Sequence, residues 1–253
     1  MKLKNHFHLI REFTINNFKL KYKNSSVAYL WSILTPLLML ATLYIVFSII
    51  MKLDVPHYQL FLLIGIIFWN FLSEATTTSM NSLLAHGNII KKMNFPNYVV
   101  VVSSCLSSFV TLLLNLIIFF LFTLIFNVKL TAIAIILPFY LIELFILVLG
   151  ISFFLSAFYP KFRDLSHIWT FLLLIGFWVT PIIYKETIVP EKYLKYYMLN
   201  QLARLINEAR DILIYHYTPT LKQVLITLII CVLIFALGFL FFRKKSPYFA
   251  EEL

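Results

Sequence analysis

Residues 99–126 read VVVVSSCLSSFVTLLLNLIIFFLFTLIF, without one charged side chain. A hydrocarbon core of about 30 Å takes about 20 mostly apolar helical residues to cross. This stretch is long enough and apolar enough to be such a span. Working outward, the same template fits six stretches: Ser32–Met51, Leu60–Ser79, Val99–Phe126, Thr131–Phe158, Ile168–Tyr184 and Leu221–Phe242. The fold expected is an all-α integral membrane protein of six transmembrane helices, residues 1–253 forming a single membrane domain.

Composition agrees with that reading. The chain is 61% hydrophobic and 13% charged, with a mean hydropathy of +0.90, against roughly 45–50% apolar and 25% charged in soluble domains. A formal charge of +10 could suggest nucleic acid. The cations, however, flank apolar runs instead of gathering in one patch, so no nucleic-acid partner is expected. Cys105 and Cys231 lie inside apolar runs and read as packing residues. A basic segment precedes the first apolar stretch, which reads as an uncleaved spanning helix.

An even number of crossings returns the C-terminus to the side of the N-terminus. The flanks on that side carry Lys2, Lys4, Arg11, Lys19, Lys21, Lys23, Lys91, Lys92, Lys161, Arg163, Arg243, Lys244 and Lys245, whereas the short opposite loops carry Lys52 and Lys129. Cations favour the cytoplasmic side, so both termini are expected in the cytoplasm. The chain then divides into a cytoplasmic amphipathic segment (1–31), spans one to five (32–184), an outer segment (185–220), span six (221–242) and a cytoplasmic tail (243–253).

Leu3, Phe7, Ile10 and Phe13 recur at helical spacing, with Lys4, His8 and Arg11 on another face. That pattern predicts a helix in the membrane interface. Arg11, Lys19, Lys21 and Lys23 either anchor the topology or contact anionic lipid headgroups. Between Pro190 and Thr220, Leu194, Tyr197, Leu202, Leu205, Ile206, Ala209, Ile212 and Leu213 also recur at three or four residues, but charges interrupt them. One or two short amphipathic helices, broken near Asn200, are expected there.

Catalytic signatures are missing. A P-loop needs two glycines flanking four residues and then Lys-Ser/Thr, and Gly65, Gly87, Gly150, Gly176 and Gly238 form no such pair. The six histidines form no His-Glu-x-x-His pairing. The chain therefore needs no cofactor of its own and is not expected to be an enzyme.

Glu74 and Glu143 are the carboxylates within the predicted spans, and an ionisable group at membrane depth is costly. Glu74 precedes a run of hydroxyl residues and reads as facing a wet cytoplasmic end. Ser104, Ser108, Thr111 and Asn115 make one polar stripe on span three. Asn115 lies 126 − 115 = 11 residues from the outer end of its span and Glu143 lies 143 − 131 = 12 from its own. At 1.5 Å per residue the depths nearly match, so a polar contact between Glu143 and Asn115 is expected. Tyr44 and Phe47 in the first span, and Phe171 and Trp178 in the fifth, either pack or line a pathway, where aromatic faces suit a sliding sugar polymer.

Several segments resemble one family. Phe18-Lys19-Leu20-Lys21-Tyr22-Lys23-Asn24-Ser25, with Leu30-Trp31 and Thr35-Pro36-Leu37-Leu38, is similar to the start of permease subunits of type-2 ABC exporters for O-antigen, capsule and teichoic-acid polymers. Phe61-Leu62-Leu63-Ile64-Gly65 with Trp69, Ile90-Lys91-Lys92-Met93-Asn94-Phe95-Pro96, Phe162-Arg163-Asp164-Leu165, and Thr180-Pro181-Ile182-Ile183-Tyr184 with Val189-Pro190 follow in the family's order. The chain departs from the pattern at Asn16-Asn17, Ala28 and Asn200-Gln201.

The resemblance implies a homodimeric permease in the bacterial inner membrane that binds two copies of a nucleotide-binding ATPase subunit. It also implies export of an undecaprenyl-diphosphate-linked polysaccharide, with O-antigen favoured, as a step of lipopolysaccharide biosynthesis. ATP and Mg would belong to the partner. Lys91, Lys92, Phe95 and Pro96 would form the coupling element, the outer helices a gate, and Tyr44, Phe47, Phe171 and Trp178 the polymer path near the dimer centre. Two other classes remain to be weighed. A polyprenyl-phosphate enzyme should show several acids at its cytoplasmic rim, where the loops offer chiefly Asp164. A proton-coupled transporter would use Glu143 as its proton site.

Overall fold

The computed structural model describes residues 3–22, 26–92 and 96–249. Lys23 and Phe95, named above as headgroup and coupling residues, lie outside them. The chain runs through α1 (Leu3–Tyr22), α2 (Ser26–Tyr44), α3 (Tyr58–Ala85), α4 (Gly87–Lys92), α5 (Tyr98–Ile125), α6 (Leu137–Phe158), α7 (Leu165–Val179), α8 (Glu191–Tyr197), α9 (Gln201–Arg210) and α10 (Leu221–Lys245). Among the described residues there are five helical stretches long and apolar enough to cross a membrane, and α7 is a shorter apolar helix of 15 residues.

The third helix is the axis. From Leu60 to Trp69 every side chain of α3 is buried, as expected of a helix that is apolar all round and enclosed by neighbours. It packs against α2, α5, α6, α7 and α9. α2 continues into a π-helical turn, Ile45–Ile50, so the first apolar run spans Trp31–Ile50. Within α2, Pro36 is accommodated in the helix.

The start of α1 and the end of α10 meet on one face. The hydroxyl of Tyr98 and Nδ1 of His6 share a hydrogen bond of 2.9 Å, and Nδ2 of Asn97 donates to the Ser246 hydroxyl at 3.1 Å. The start of α5 thus touches α1 and the end of α10 together. This is called the N-terminal face, and the opposite one the far face. α1 runs along α5: His6 meets Tyr98, Asn17 meets Ser104 and Lys21 meets Thr111. Phe7, expected on the apolar face, is 75% exposed.

Two expectations need correction. The fifth apolar helix ends at Val179, not Tyr184. Thr180 is extended, with φ −79° and ψ 142°, because the residue before a proline is pushed out of the helical region by the ring of Pro181. At 1.5 Å per residue, α7 is roughly 22 Å long, shorter than the hydrocarbon core. Nine of its fifteen residues are exposed, and Phe177 is the buried one. The second correction concerns Glu143. Both of its carboxylate oxygens are buried without a hydrogen-bond partner among the described residues, whereas Asn115 lines a cavity with Lys21. Matching depth does not settle which face a side chain takes. The stripe of α5 serves α1 at Ser104 and Thr111, while Glu143 shares its surroundings with Tyr140, Glu208 and Cys231.

α6 and α10 approach closely through glycines. A Cβ on Gly150 would lie 2.6 Å from the Cα of Phe235, and one on Gly238 would collide with the backbone of Gly150. Small residues allow such contact between membrane helices. Gly150→Val should therefore force the pair apart and destabilise the protein by about 1–3 kcal/mol, the usual range for overpacking, read as an earlier loss of the monodisperse peak when purified protein is heated. A variant as heat-resistant as the parent would show that the helices separate freely.

Candidate functional site

A cavity of about 470 Å³ opens where α1, α2, α3 and α5 meet. α2 contributes Trp31, Ser32, Thr35 and Pro36; α3 contributes Asn70, Ser73 and Glu74; α5 contributes Thr111 and Asn115; Lys21 enters from the end of α1. The periodicity of each helix explains the lining. Asn70, Ser73 and Glu74 fall at helical spacings of three and four, as do Ser32, Thr35 and Pro36, and as Thr111 and Asn115 do. Polar groups thus share one face on three separate apolar helices.

The strongest contact is the ion pair between Lys21 Nζ and Glu74 Oε1 at 2.7 Å, with the Thr111 hydroxyl accepting from the same ammonium at 3.1 Å. The side chains of Lys21 and Glu74 are 33% and 29% exposed. Glu74 is 74 − 58 = 16 residues from the far end of α3 and 85 − 74 = 11 from its other end, which puts it roughly 24 Å and 16 Å from the two ends. Glu74 therefore does not end free in water. It closes a charge pair where the apolar run of α3 gives way to its hydroxyl-rich half. Carboxylate, amide and hydroxyl groups, beside the 54% exposed indole of Trp31, equip the cavity to hydrogen-bond and stack on a hydroxyl-rich guest. Among the described residues no group of three or more His, Cys, Asp or Glu is gathered for a metal.

The other sequence-predicted residues are scattered. Arg11 and Lys19 are exposed on α1, and Lys19 borders a separate groove of about 360 Å³ with Glu12 and Ile89. Lys91 and Lys92 are exposed at the tip of α4, and Pro96 lines a cavity of about 260 Å³ with Tyr98, Phe242 and Arg243. Tyr44 and Phe47 pack partly against the core, the Tyr44 ring centroid 6.3 Å from that of Tyr58. Phe171 and Trp178 are 60% and 55% exposed on α7. Within one chain these four aromatics split into a half-buried pair and an exposed pair.

Sequence reasoning missed Arg210. Its guanidinium is fully buried, and each of its five N–H groups has an acceptor. Nε and Nη2 donate to the Phe61 carbonyl at 3.1 and 2.9 Å, Nη2 also to Ile182 O at 2.9 Å, and Nη1 to Pro181 O and to Asn207 Oδ1 at 3.4 Å. The cation also lies 3.4 Å from the centroid of the Phe61 ring. Gly65 makes room for it, since a Cβ there would stand 2.8 Å from Nη2. Burial pushes the Arg210 guanidinium down to about 9, which leaves it charged at neutral pH. The segment past α7 is tied at consecutive residues. Asn200 donates to the Thr180 hydroxyl at 2.9 Å, Arg210 holds Pro181 and Ile182, and the Tyr58 hydroxyl donates to Ile183 O at 2.8 Å. One signal was available in the sequence: Arg210 falls four residues after Ile206 and three before Leu213, inside the apolar stripe of its own helix.

A multi-pass helical bundle with a polar cavity cut into its apolar helices is an architecture suited to membrane transport. The chain belongs to the ABC-2 type transporter family, whose profile matches residues 8–214. It is similar to two proteins from Klebsiella pneumoniae, each called O-antigen export system permease protein RfbA. Both are 30% identical to it, over 98% of this chain and 95% of the relative. A protein of the same name from Myxococcus xanthus is 22% identical over 93% of this chain and 91% of that one. Membership of the family implies an ABC ATPase as partner.

If the Lys21–Glu74 pair is what makes these charges tolerable in the bundle, each single neutralisation strands an ion. Lys21→Met and Glu74→Leu should each lower thermal stability, and the double variant should recover much of the loss, as expected when a partly buried pair is removed whole. Additive losses in the double variant would mean that the two charges act independently.

Proposed function

We propose that this chain is the permease of an ATP-driven exporter that moves an undecaprenyl-diphosphate-linked polysaccharide, O-antigen in class, across the bacterial inner membrane. The observation that carries this reading is the likeness to O-antigen export permeases over nearly the whole of both chains. The polar cavity supports it, because amide, hydroxyl and indole groups suit a polyhydroxylated guest. In this proposal two copies form a homodimer, both termini are cytoplasmic, and two ATPase subunits dock on the N-terminal face. ATP and Mg are bound and used there, and this chain performs no chemistry. Lys91, Lys92, Phe95 and Pro96 form the coupling element. Arg11, Lys19 and Lys23 meet lipid headgroups, and Lys21 is engaged by Glu74 instead. In this proposal Tyr44 and Phe47 of the first apolar run and Phe171 and Trp178 of α7 line the polymer path between protomers.

Deleting the gene should leave lipid-linked polymer trapped at the cytoplasmic leaflet. Restoring the chain with its neighbouring ATPase should return polymer to the cell surface in an ATP-dependent manner that survives a proton ionophore. Charge reversal at Lys91 and Lys92 should lower polymer-stimulated ATP hydrolysis severalfold while the permease remains stable. Export driven by the proton gradient without ATP hydrolysis would overturn the proposal.

A further inference from the structure

On the far face, where α9 turns back toward α10, a second cavity of about 280 Å³ is lined by Lys185, Glu186, Asn207, Arg210, Asp211 and Tyr217, among others. The chain builds its mouth deliberately. After the π-helical turn Asp211–Tyr215, His216 takes a left-handed conformation with φ 59°, and the amide of Tyr217 bonds back to the Asp211 carbonyl at 2.9 Å. That turn brings the Tyr217 ring, 68% exposed, to the rim beside Asp211.

The hydrogen-bonding inventory specifies the guest. Arg210 forms part of the lining, but all five of its N–H groups are spent on protein acceptors, so it offers no donor to a phosphate or carboxylate. Asn207 gives its Oδ1 to Arg210 and one N–H to Glu186 Oε2 at 2.7 Å. The Lys185 ammonium lies 5.6 Å from the Tyr215 ring centroid, over its face. Facing the space are the Lys185 ammonium, which has no hydrogen-bond acceptor among the described residues, and the free acceptor capacity of two carboxylates. Among the described residues neither side-chain oxygen of Asp211 has a hydrogen-bond partner, nor does the second oxygen of Glu186. Burial, assisted by Glu186, raises the Asp211 carboxyl to about 6, so it still accepts at neutral pH. The formal charges of Lys185 and Arg210 cancel those of Glu186 and Asp211, which gives the cavity no preference for a net charge.

A fitting guest therefore brings hydroxyl groups, which donate to the carboxylates and accept from Lys185, presents an apolar face to a tyrosine ring, and gains nothing from a net charge. A neutral pyranose meets these conditions. Its neighbouring hydroxyls can donate to one carboxylate in pairs, and its C–H face can lie on the ring. We propose that this cavity is a saccharide-binding subsite on the far face, with Asp211 and Glu186 as hydroxyl acceptors and Tyr217 as stacking platform. It rests on the polymer-export reading for the identity of its natural guest, a neutral sugar unit of the chain leaving the permease.

The test uses the permease–ATPase complex in lipid nanodiscs and, as probe, the host's own surface polysaccharide freed of its lipid by mild acid. Asp211→Asn keeps the size of the side chain but replaces an acceptor-only group. Tyr217→Ala removes the platform, and Tyr217→Phe retains it. Polymer affinity should fall roughly tenfold or more in the first two variants and stay within about twofold of the parent in the third, at unchanged thermal stability. Parental affinity in both Asp211→Asn and Tyr217→Ala overturns the subsite while parental ATP-dependent export leaves the exporter reading standing. Failure of the parent complex to bind or export polymer overturns both. Binding that vanishes with a chelator overturns the subsite in favour of a cation held by the two carboxylates.

Discussion

A single buried cation holds the far half of the structure together. The backbone leaves its helix at Thr180, so the carbonyls of Pro181 and Ile182 lose the partners a continued helix would have supplied. Residues 180–183 are buried by protein, so water does not replace those partners, and the protein must satisfy such buried backbone polar groups from within. Arg210 does so, donating to both carbonyls and to that of Phe61. The exchange is mutual. A fully buried guanidinium is costly unless every donor is used, and its planar fork reaches three carbonyls and an amide at once in a way that lysine cannot. The arrangement joins α9, α3 and the end of α7 into one body, and Gly65 must stay small for it to form.

The two polar regions of the bundle then have different characters. On the N-terminal side, the Lys21–Glu74 pair is partly exposed and lies in an open cavity, so α1 is fastened to α3 and α5 by contacts that solvent and lipid can exchange. On the far side, the Arg210 contacts are fully enclosed. In the proposed exporter, with the ATPase docked on the N-terminal face, movement would enter through α1 and α4. Beside the body that Arg210 joins, Glu143, Tyr140 and Glu208 retain buried oxygens without hydrogen-bond partners among the described residues. Unsatisfied groups of this kind mark places where a packing arrangement is least settled.

Much of the fold was legible because apolar length is a strong signal. The third and fourth spans, the helical N-terminal segment and the helix break at Asn200, which caps α9 by accepting from the Ala203 amide at 3.3 Å, follow from periodicity and capping chemistry. The end of α7 was less legible: Pro181 was visible, but apolar residues continue through Ile183, and hydropathy does not register that Arg210 and Tyr58 hold their carbonyls. The Glu143–Asn115 contact failed because depth along two helices fixes one coordinate only, and rotation about each axis depends on neighbours such as α1 and α9. Arg210 itself lies between Glu208 and Asp211 in a stretch that charges interrupt, which hides it in composition, although its position in the apolar stripe marks it as different.

The central claim is that Arg210 makes the end of α7 and the α9 segment one cooperative unit, and hydrogen exchange read by mass spectrometry on the intact permease tests this directly. With Arg210→Met, amides from Ile182 to Tyr184 and those of α9 should exchange at least about tenfold faster and in step, the factor expected for a loss of roughly 1.4 kcal/mol or more in local stability, while α3 and α5 remain as protected as in the parent. Loosening of α9 alone, with the segment after Thr180 as protected as before, would contradict the account.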